Sequence, residues 1–518
     1  MPLNNYLPSF LQSQLLHSGS VHSVRSMLVL PSRTEHVLVA CGEDGVALEQ
    51  LLYDAMIAQE SRPIGRFMFA GNRYYEALGK AFLQEDGCLL RLKEASLRDG
   101  VLSSLQTTAI SGVSLFPLRQ AGRNIGVVYE DDDARYCRLS GVIPLDLTGT
   151  REGQTRAVLE MLDWILTTNG FSFTDTVRTW FYLDQLLDWY KGFNEVRTDF
   201  FEERGVFKQL VPASTGIGAG NPWGAALACD LLAIQPKSSG VGIEAVASPL
   251  QDSALNYASS FSRAVEIRMS SHRSLLISGT ASIGMDGKTQ YFGDRAGQMD
   301  RTLQVVTALL ESRGMGWGDV SRGIAYFTDM KDRAKFNTLC QSYGIPEFPL
   351  AVAHADICRN DLLFEMEVDA VKVNEVVLFV CTGNYYRSRF CEILFNTWAP
   401  DYGIKARAIS RGLMTGLISV EMGGLSPHAL RGLQAREILL DDRIRRPIQI
   451  QESDFMEAAL VIAMDEKEHR PIMGQQFPHW ADRIQYWQVA DIADLEPELG
   501  IAALEQRVRT LLEQMKNE

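Results

Sequence analysis

GTREGQTRAVLEMLDWILTTNGFSFTDTVRTWFYL, residues 149–183, recurs in altered form as GDRAGQMDRTLQVVTALLESRGMGWGDVSRGIAYF, residues 293–327. Arg151 pairs with Arg295, Gln154 with Gln298, Gly170 with Gly314, Asp175 with Asp319 and Arg178 with Arg322, all at an offset of 144. Identities of such different chemical types at one constant offset mark an internal duplication. Each copy follows a short stretch containing Ser-Gly, LSGVIPL (139–145) and ISGTASI (277–283). The hydrophobic spacing of each copy predicts strand, amphipathic helix, strand. The second copy runs on into a further strand, LLFEMEVDAV (362–371). Residues 1–135 contain strand-like runs such as HVLVACG (36–42) but do not match the repeat.

Around this duplication the chain is 518 residues long, enough for about three or four domains. The expected division is 1–235, 236–373 and 374–518. Apolar residues make up 46% and charged residues 22%, an ordinary globular balance. The net charge of −14 argues against a nucleic-acid-binding surface, because an acidic chain repels phosphate backbones. Eight cysteines without a CxxC pair fit neither a disulfide scaffold nor structural zinc. MPLNNYLPSF lacks the pattern of a signal peptide, and no apolar run reaches the roughly 18 residues of a membrane helix. The expectation is a soluble, cytoplasmic protein that contacts neither nucleic acid nor membrane and can form a homo-oligomer. GIGAGNPWG (216–224) misses the dinucleotide fingerprint in spacing and contains Pro222, and the histidines are scattered. No metal, flavin or nicotinamide is called for.

The last 145 residues read as a separate α/β unit. EVVLFVCTGN (375–384) is a strand entering a turn, followed by helical periodicity through RSRFCEILFNTW (387–398). Cys381 and Arg387 bracket this strand-to-helix junction. The N–H groups of such a loop, backed by a helix N-terminus, make an anion cradle that favours a cysteine thiolate. Arg387 would fork two phosphoryl oxygens, and a distant aspartate would protonate the leaving group.

CTGNYYRS resembles the active-site loop of low-molecular-weight protein tyrosine phosphatases. ISRG (409–412), SDFMEAALVIAMDEKEH (453–469) and YWQVADI (486–492) extend that resemblance over 375–518. It implies Cys381 as nucleophile and Arg387 as phosphate clamp. Gly383, Asn384 and Ser388 would complete the binding loop, Asn384 by holding its strained shape and Ser388 by supporting the thiolate. The family's general acid lies in an Asp-Pro pair; here Asp491 is the candidate, with Ile492 in place of proline, and Asp494 the alternative. Tyr386 stands where many relatives carry a second cysteine, and no cysteine follows Cys391, which disfavours arsenate reduction.

The duplicated front resembles the RidA (YjgF) fold and, over 25–372, the chorismatases built on it. The carriers are FAGNRYYEALGKA (69–81), SPLQDSALNYASSFSRA (248–264), ISGTASI and AHADICRNDLLFEMEVDA (353–370). The implied architecture is an α/β and α+β multidomain chain: duplicated RidA-like modules, then a four-stranded parallel-sheet phosphatase domain. Hydrolysing the enol ether of chorismate requires an acid kept protonated by burial, plus cations for two carboxylates. Glu365 and Glu367 fall on one strand face, and the resemblance assigns the acid to Glu365. Cys358 is similar to the cysteine of chorismatases that release 3-hydroxybenzoate. Arg359 and Arg263 are candidate carboxylate clamps and Tyr257 a pocket donor.

The expected function is therefore bifunctional: chorismate to pyruvate plus a hydroxybenzoate or dihydroxycyclohexadienoate, and hydrolysis of phosphotyrosine protein or another aromatic phosphate. The alternative is a phosphatase regulated by a non-catalytic metabolite-binding module. An imine deaminase is disfavoured, because Phe348-Pro349 is followed by Leu350-Ala351 without the clamp arginine of ordinary RidA proteins.

Overall fold

The computed structural model describes residues 11–516 apart from 19–20, 30–32, 42–44, 71–89, 94–101, 121, 239–240, 258, 270, 375, 405, 420–421, 439, 441–444 and 493–494. Part of FAGNRYYEALGKA and the alternative acid Asp494 lie outside the described residues. The backbone divides into two compact units, Phe10–Ile267 with Arg273–Lys372, and Val373–Glu518 with Arg268–His272. Among the described residues no helix is long and apolar enough to cross a membrane.

The larger unit contains three six-stranded sheets. The first holds β1 (Leu11–Ser18), β2 (Val21–Val29), β3 (Thr34–Cys41), β4 (Arg62–Ala70), β5 (Leu90–Lys93) and β6 (Leu102–Ser111), with α1 (Gly45–Ala58) between β3 and β4. The second holds β7 (Phe116–Gln120), β8 (Arg123–Glu130), β9 (Ala134–Val142), β10 (Thr176–Leu183), β11 (Ala213–Gly218) and β12 (Leu227–Pro236). Its helices are α2 (Arg151–Thr168) and α3 (Leu186–Glu203). The third holds β13 (Gly242–Val246), β14 (Ala264–Arg268), β15 (His272–Ala281), β16 (Val320–Phe327), β17 (Leu350–His354) and β18 (Phe364–Val373), with α4 (Arg295–Glu311) and α5 (Arg333–Ser342).

Numbered within its own sheet, every strand set has the spatial order first, second, third, sixth, fourth, fifth. The fourth and fifth strands pair in parallel in all three sheets. Parallel pairing requires a crossover connection, which α3 and α5 supply in the second and third. The duplication seen in sequence is thus accompanied by a third module of the same topology at the N-terminus. Its sequence does not match the repeat, while its strand order is the same.

The repeated residues hold equivalent joints. Thr150 and Asp294 cap α2 and α4 by accepting from Gly153 and Gly297. Gly170 and Gly314 take positive φ, +78° and +62°, just after these helices, where a side chain would be strained. Asp175 and Asp319 then accept from the backbone of Ser172 and Gly316 at 2.8 Å, closing the turn into β10 and β16. Gln154 and Gln298 accept the N–H of Ala226 and Leu363 at 2.8 Å, tying each helix start to the segment before its last strand.

Each module buries its helices on one sheet face, and the other faces share a core. Val158, Leu159, Leu162, Ile165 and Leu166 form the apolar stripe of α2. On the shared side, Phe67 and Phe69 of β4 meet Trp180 and Tyr182 of β10, and Ile324 and Tyr326 of β16. The repeat-equivalent Tyr182 and Tyr326 bring their hydroxyls within 3.3 Å. Burial of each such large side chain stabilises by about 1.5–3 kcal/mol, so this core holds the three modules together.

The smaller unit is a four-stranded parallel sheet in the order β20 (Arg407–Gly412), β19 (Val376–Cys381), β21 (Leu460–Ala463), β22 (Gln485–Tyr486). Val377, Phe379 and Cys381 face one core, with α6 (Arg387–Trp398), α7 (Pro427–Gln434) and α10 (Pro497–Lys516). Leu378 and Val380 face the other, with α8 (Glu452–Glu457) and α9 (Glu466–Gln476). Burial on both faces explains the uninterrupted apolar run of β19.

Candidate active sites

The chain turns from β19 into α6 through Cys381–Arg387, and Asn384 makes the turn possible. It sits at φ +50°, a left-handed conformation that asparagine tolerates better than most residues. Its amide is fully engaged: Nδ2 donates to Ser410 Oγ (2.8 Å) and Ser388 Oγ (3.1 Å). Oδ1 accepts from Arg445 (3.0 Å) and the Ile448 N–H (2.9 Å). Gly412 of the ISRG stretch is needed for this approach, because a Cβ there would lie 2.9 Å from both the backbone N and the Cβ of Asn384.

The loop converges on the Cys381 sulfur. The Asn384 N–H donates to Sγ at 3.2 Å, and the Ser388 hydroxyl lies 3.0 Å away. Behind them the first-turn N–H groups of α6 have no intrahelical acceptors, so they are available to an anion. Arg387 is 1% exposed. Its terminal nitrogens donate to Val489 O (3.1 Å), to Asp491 (2.7 Å) and to both Glu468 oxygens (2.7 and 2.9 Å). Asp491 is 40% exposed at the site's rim, where a carboxyl can reach both Arg387 and a departing group. Tyr386, in the place of a second cysteine, sends its hydroxyl to Pro497 O instead (3.1 Å). Glu468 was not singled out from the sequence, and only the tertiary structure turns it onto Arg387. Burial works against its charge, yet Arg387 holds its carboxyl below the usual range.

The second site is a cleft between the two repeated modules. It is lined by Tyr190 and Arg197 of α3 and Ser214 of β11, facing Arg263, Cys358, Arg359 and Glu365 from the later module. Four sequence-selected residues thus share one cavity, whereas the Tyr257 side chain lies outside the described residues. Tyr190, Arg197 and Ser214 escaped the sequence reading. Their only advance signal is Arg197 on the aromatic face of α3 beside Phe193 and Phe200.

Glu365 and Glu367 share one strand face but have opposite surroundings. Glu367 is fully buried and accepts from Arg178 (3.0 Å), Trp180 Nε1 (2.9 Å), Arg322 and Thr215, which keep it charged against the cost of burial. Among the described residues Glu365 has no such partners. Burial, aided by the Glu367 charge, pushes its carboxyl up to about 8, against the opposing pull of Arg263 and Arg178. A carboxyl so shifted favours its protonated form at neutral pH. The Cys358 thiol is pushed up to about 12, mainly by burial, so it stays neutral. Arg263 is anchored through the Asp252 carbonyl (2.9 and 2.8 Å) and Arg359 through the Gly287 carbonyl (2.8 Å). Register places Glu365 opposite Tyr326 and Ala228 opposite the equivalent Tyr182, so the second copy has a carboxyl where the first has a methyl.

Gly279 is where the Glu365 carboxyl finds room: a Cβ there would overlap Oε1 and come within 3.2 Å of Thr215. Gly279→Ala is expected to destabilise the larger unit by about 1–3 kcal/mol, measurable as a lower thermal midpoint. An unchanged midpoint would contradict this packing.

Residues 376–518 match the family described as low molecular weight phosphotyrosine protein phosphatase. A protein-arginine-phosphatase of Bacillus subtilis is 32% identical over 109 residues, 21% of this chain and 67% of that protein. Chorismatase homologues cover the N-terminal part. The chorismatase of Streptomyces rapamycinicus is 27% identical over 254 residues, 44% of this chain and 73% of that one. The 3-hydroxybenzoate synthase of Streptomyces hygroscopicus is 25% identical over 274 residues, 48% and 76% of the two chains.

Proposed function

We propose that this chain, which over residues 376–518 belongs to the low molecular weight phosphotyrosine protein phosphatase family and whose N-terminal part is homologous to chorismatases, is a bifunctional enzyme. Residues 1–373 act on chorismate and residues 374–518 hydrolyse a phosphoric monoester or related phosphoryl compound. The observation that carries the front activity is a buried Glu365, its carboxyl pushed up to about 8, in a cleft with Arg197, Arg263 and Arg359.

In this reading the arginines hold the substrate carboxylates, and Glu365 delivers its proton to the enol-ether methylene carbon. Water adding to the resulting oxocarbenium carbon gives a hemiketal that collapses to pyruvate as its bond to the ring ether oxygen breaks, leaving the diol. If the neighbouring ring hydroxyl adds instead, one ring C–O bond breaks, its oxygen leaves with pyruvate, and loss of a ring proton gives the hydroxybenzoate. Release of a hydroxybenzoate consumes no net water, whereas a dihydroxycyclohexadienoate consumes one. The neutral Cys358 thiol lines the cleft and favours 3-hydroxybenzoate, the product named for one relative. Mass spectrometry of the products from chorismate tests this; pyruvate release without any hydroxybenzoate would remove it.

At the other site Cys381 Sγ attacks phosphorus, Arg387 and the loop N–H groups take up the equatorial charge, and Asp491 protonates the leaving atom. Water then cleaves the phosphocysteine. The leaving group is an aromatic alcohol such as tyrosine or, following the name of the Bacillus relative, a guanidinium; rates on phosphotyrosine and phosphoarginine peptides separate the two. Asp491→Asn is expected to lower kcat by about 10²–10³ on alkyl or phenyl phosphates and far less on para-nitrophenyl phosphate, whose leaving group needs little protonation. Equal losses on both would remove Asp491 from the acid role.

A further inference from the structure

Arg387 is already holding a two-oxygen anion, and that anion comes from the chain itself. Glu468 sits in the first turn of α9, where its N–H donates to the Asp465 cap at 2.9 Å. Both of its carboxylate oxygens contact the guanidinium, Oε2 at 2.7 Å and Oε1 at 2.9 Å. The hydroxyl of Thr382, inside the cysteine loop, also donates to Glu468, and His469 Nε2 lies 3.5 Å from it. Arg387 further donates to Val489 O and Asp491, while its Nε, although the residue is 1% exposed, meets no partner among the described residues. The planar fork that matches a phosphoryl group is therefore occupied along its terminal edge, and one buried donor is left over. A carboxylate and the face of a phosphoryl group offer the same pair of acceptors to such a fork. Glu468 is 30% exposed, so it has room to swing away.

We propose that Glu468 is a specificity-determining residue of the phosphatase site: it competes with the incoming phosphoryl group for Arg387 and must release the clamp before the anion is seated. This rests on the phosphatase reading of the Cys381 loop. Once displaced, the carboxylate remains beside the cradle. Its charge penalises small dianions and favours substrates that place a positive group next to the phosphoryl oxygens. A purely structural ion pair would behave in the opposite way. Removing Glu468 would leave the buried Arg387 with Asp491 as its remaining carboxylate partner, and the fork would lose part of its aim.

The two roles differ in sign, and the full chain can be tested directly. Inorganic phosphate is titrated as a competitive inhibitor of para-nitrophenyl phosphate turnover for the wild type, Glu468→Gln and Glu468→Asp. Competition predicts that Glu468→Gln lowers the inhibition constant and KM by about tenfold, with kcat changed far less, and that the shorter aspartate falls between. An inhibition constant that stays the same or rises in Glu468→Gln overturns the proposal, as does a change confined to kcat. Calorimetric binding of inorganic phosphate to the same three proteins reads the clamp without turnover. If no variant hydrolyses the ester but Glu468→Gln still binds phosphate about tenfold more tightly, the phosphatase reading fails and the competition stands. If turnover occurs and the affinities coincide, the reverse holds.

Discussion

Cys381→Ser is expected to reduce hydrolysis of para-nitrophenyl phosphate by at least about 10⁴-fold while leaving the fold and the binding of inorganic phosphate in place. The thiol is where two contacts of the loop converge: the Asn384 N–H and the Ser388 hydroxyl both meet Sγ. A serine hydroxyl fits the same space but is ionised far less readily, so a seated phosphoryl group would not be attacked. Arg387, the helix N-terminus and the loop amides are unaffected, so anion affinity should persist. The measurement is steady-state turnover alongside calorimetric phosphate binding. Residual activity within tenfold of the wild type would exclude Cys381 as nucleophile. Loss of phosphate binding together with turnover would instead mean that serine had collapsed the loop.

Glu365→Gln is expected to abolish pyruvate release from chorismate, a loss of about 10³-fold or more, because glutamine keeps the shape but carries no transferable proton. The wild-type pH profile makes the same statement without mutation. Glu365 must be protonated to act and its folded value is about 8, so the rate should be flat at neutral pH. Above pH 8 it should fall about tenfold per unit. Linkage gives a second readout. The folded state retains the Glu365 proton up to about 8, whereas an unfolded carboxyl loses it near 4.5. Between these values the folded chain binds more protons, so this residue's contribution to stability declines as pH rises. Glu365→Gln removes that decline and should flatten the dependence of the thermal midpoint on pH across the window. A chorismate rate that rises through pH 8, or that survives the substitution, would sink the assignment.

These expectations differ in how early they could be formed. The cysteine loop is local: Cys381, Gly383, Asn384, Arg387 and Ser388 lie within eight residues, and a strand end followed by a helix start brings their backbone amides together. Sequence by itself therefore determined that Cys381 and Arg387 share one strand-to-helix turn, and it determined the parallel-sheet unit that presents them. It also determined the duplication, since a period of 144 residues survives wherever caps, turns and the glutamine tie must be rebuilt. The tertiary structure decided what depends on packing between distant segments. It revealed the N-terminal third module, whose strand order is kept although its side chains are not. It brought Tyr190, Arg197 and Ser214 across to Glu365, and Glu468 across to Arg387, because those meetings are made by sheets and helices packing rather than by neighbours in the chain. Above all it separated two glutamates that the strand period places alike. Arg178, Arg322, Trp180 and Thr215 all turn to Glu367 and keep it ionised, and the same packing leaves Glu365 buried without them. A period-two pattern states which face a carboxyl is on; only the partners gathered around that face decide which one keeps its proton.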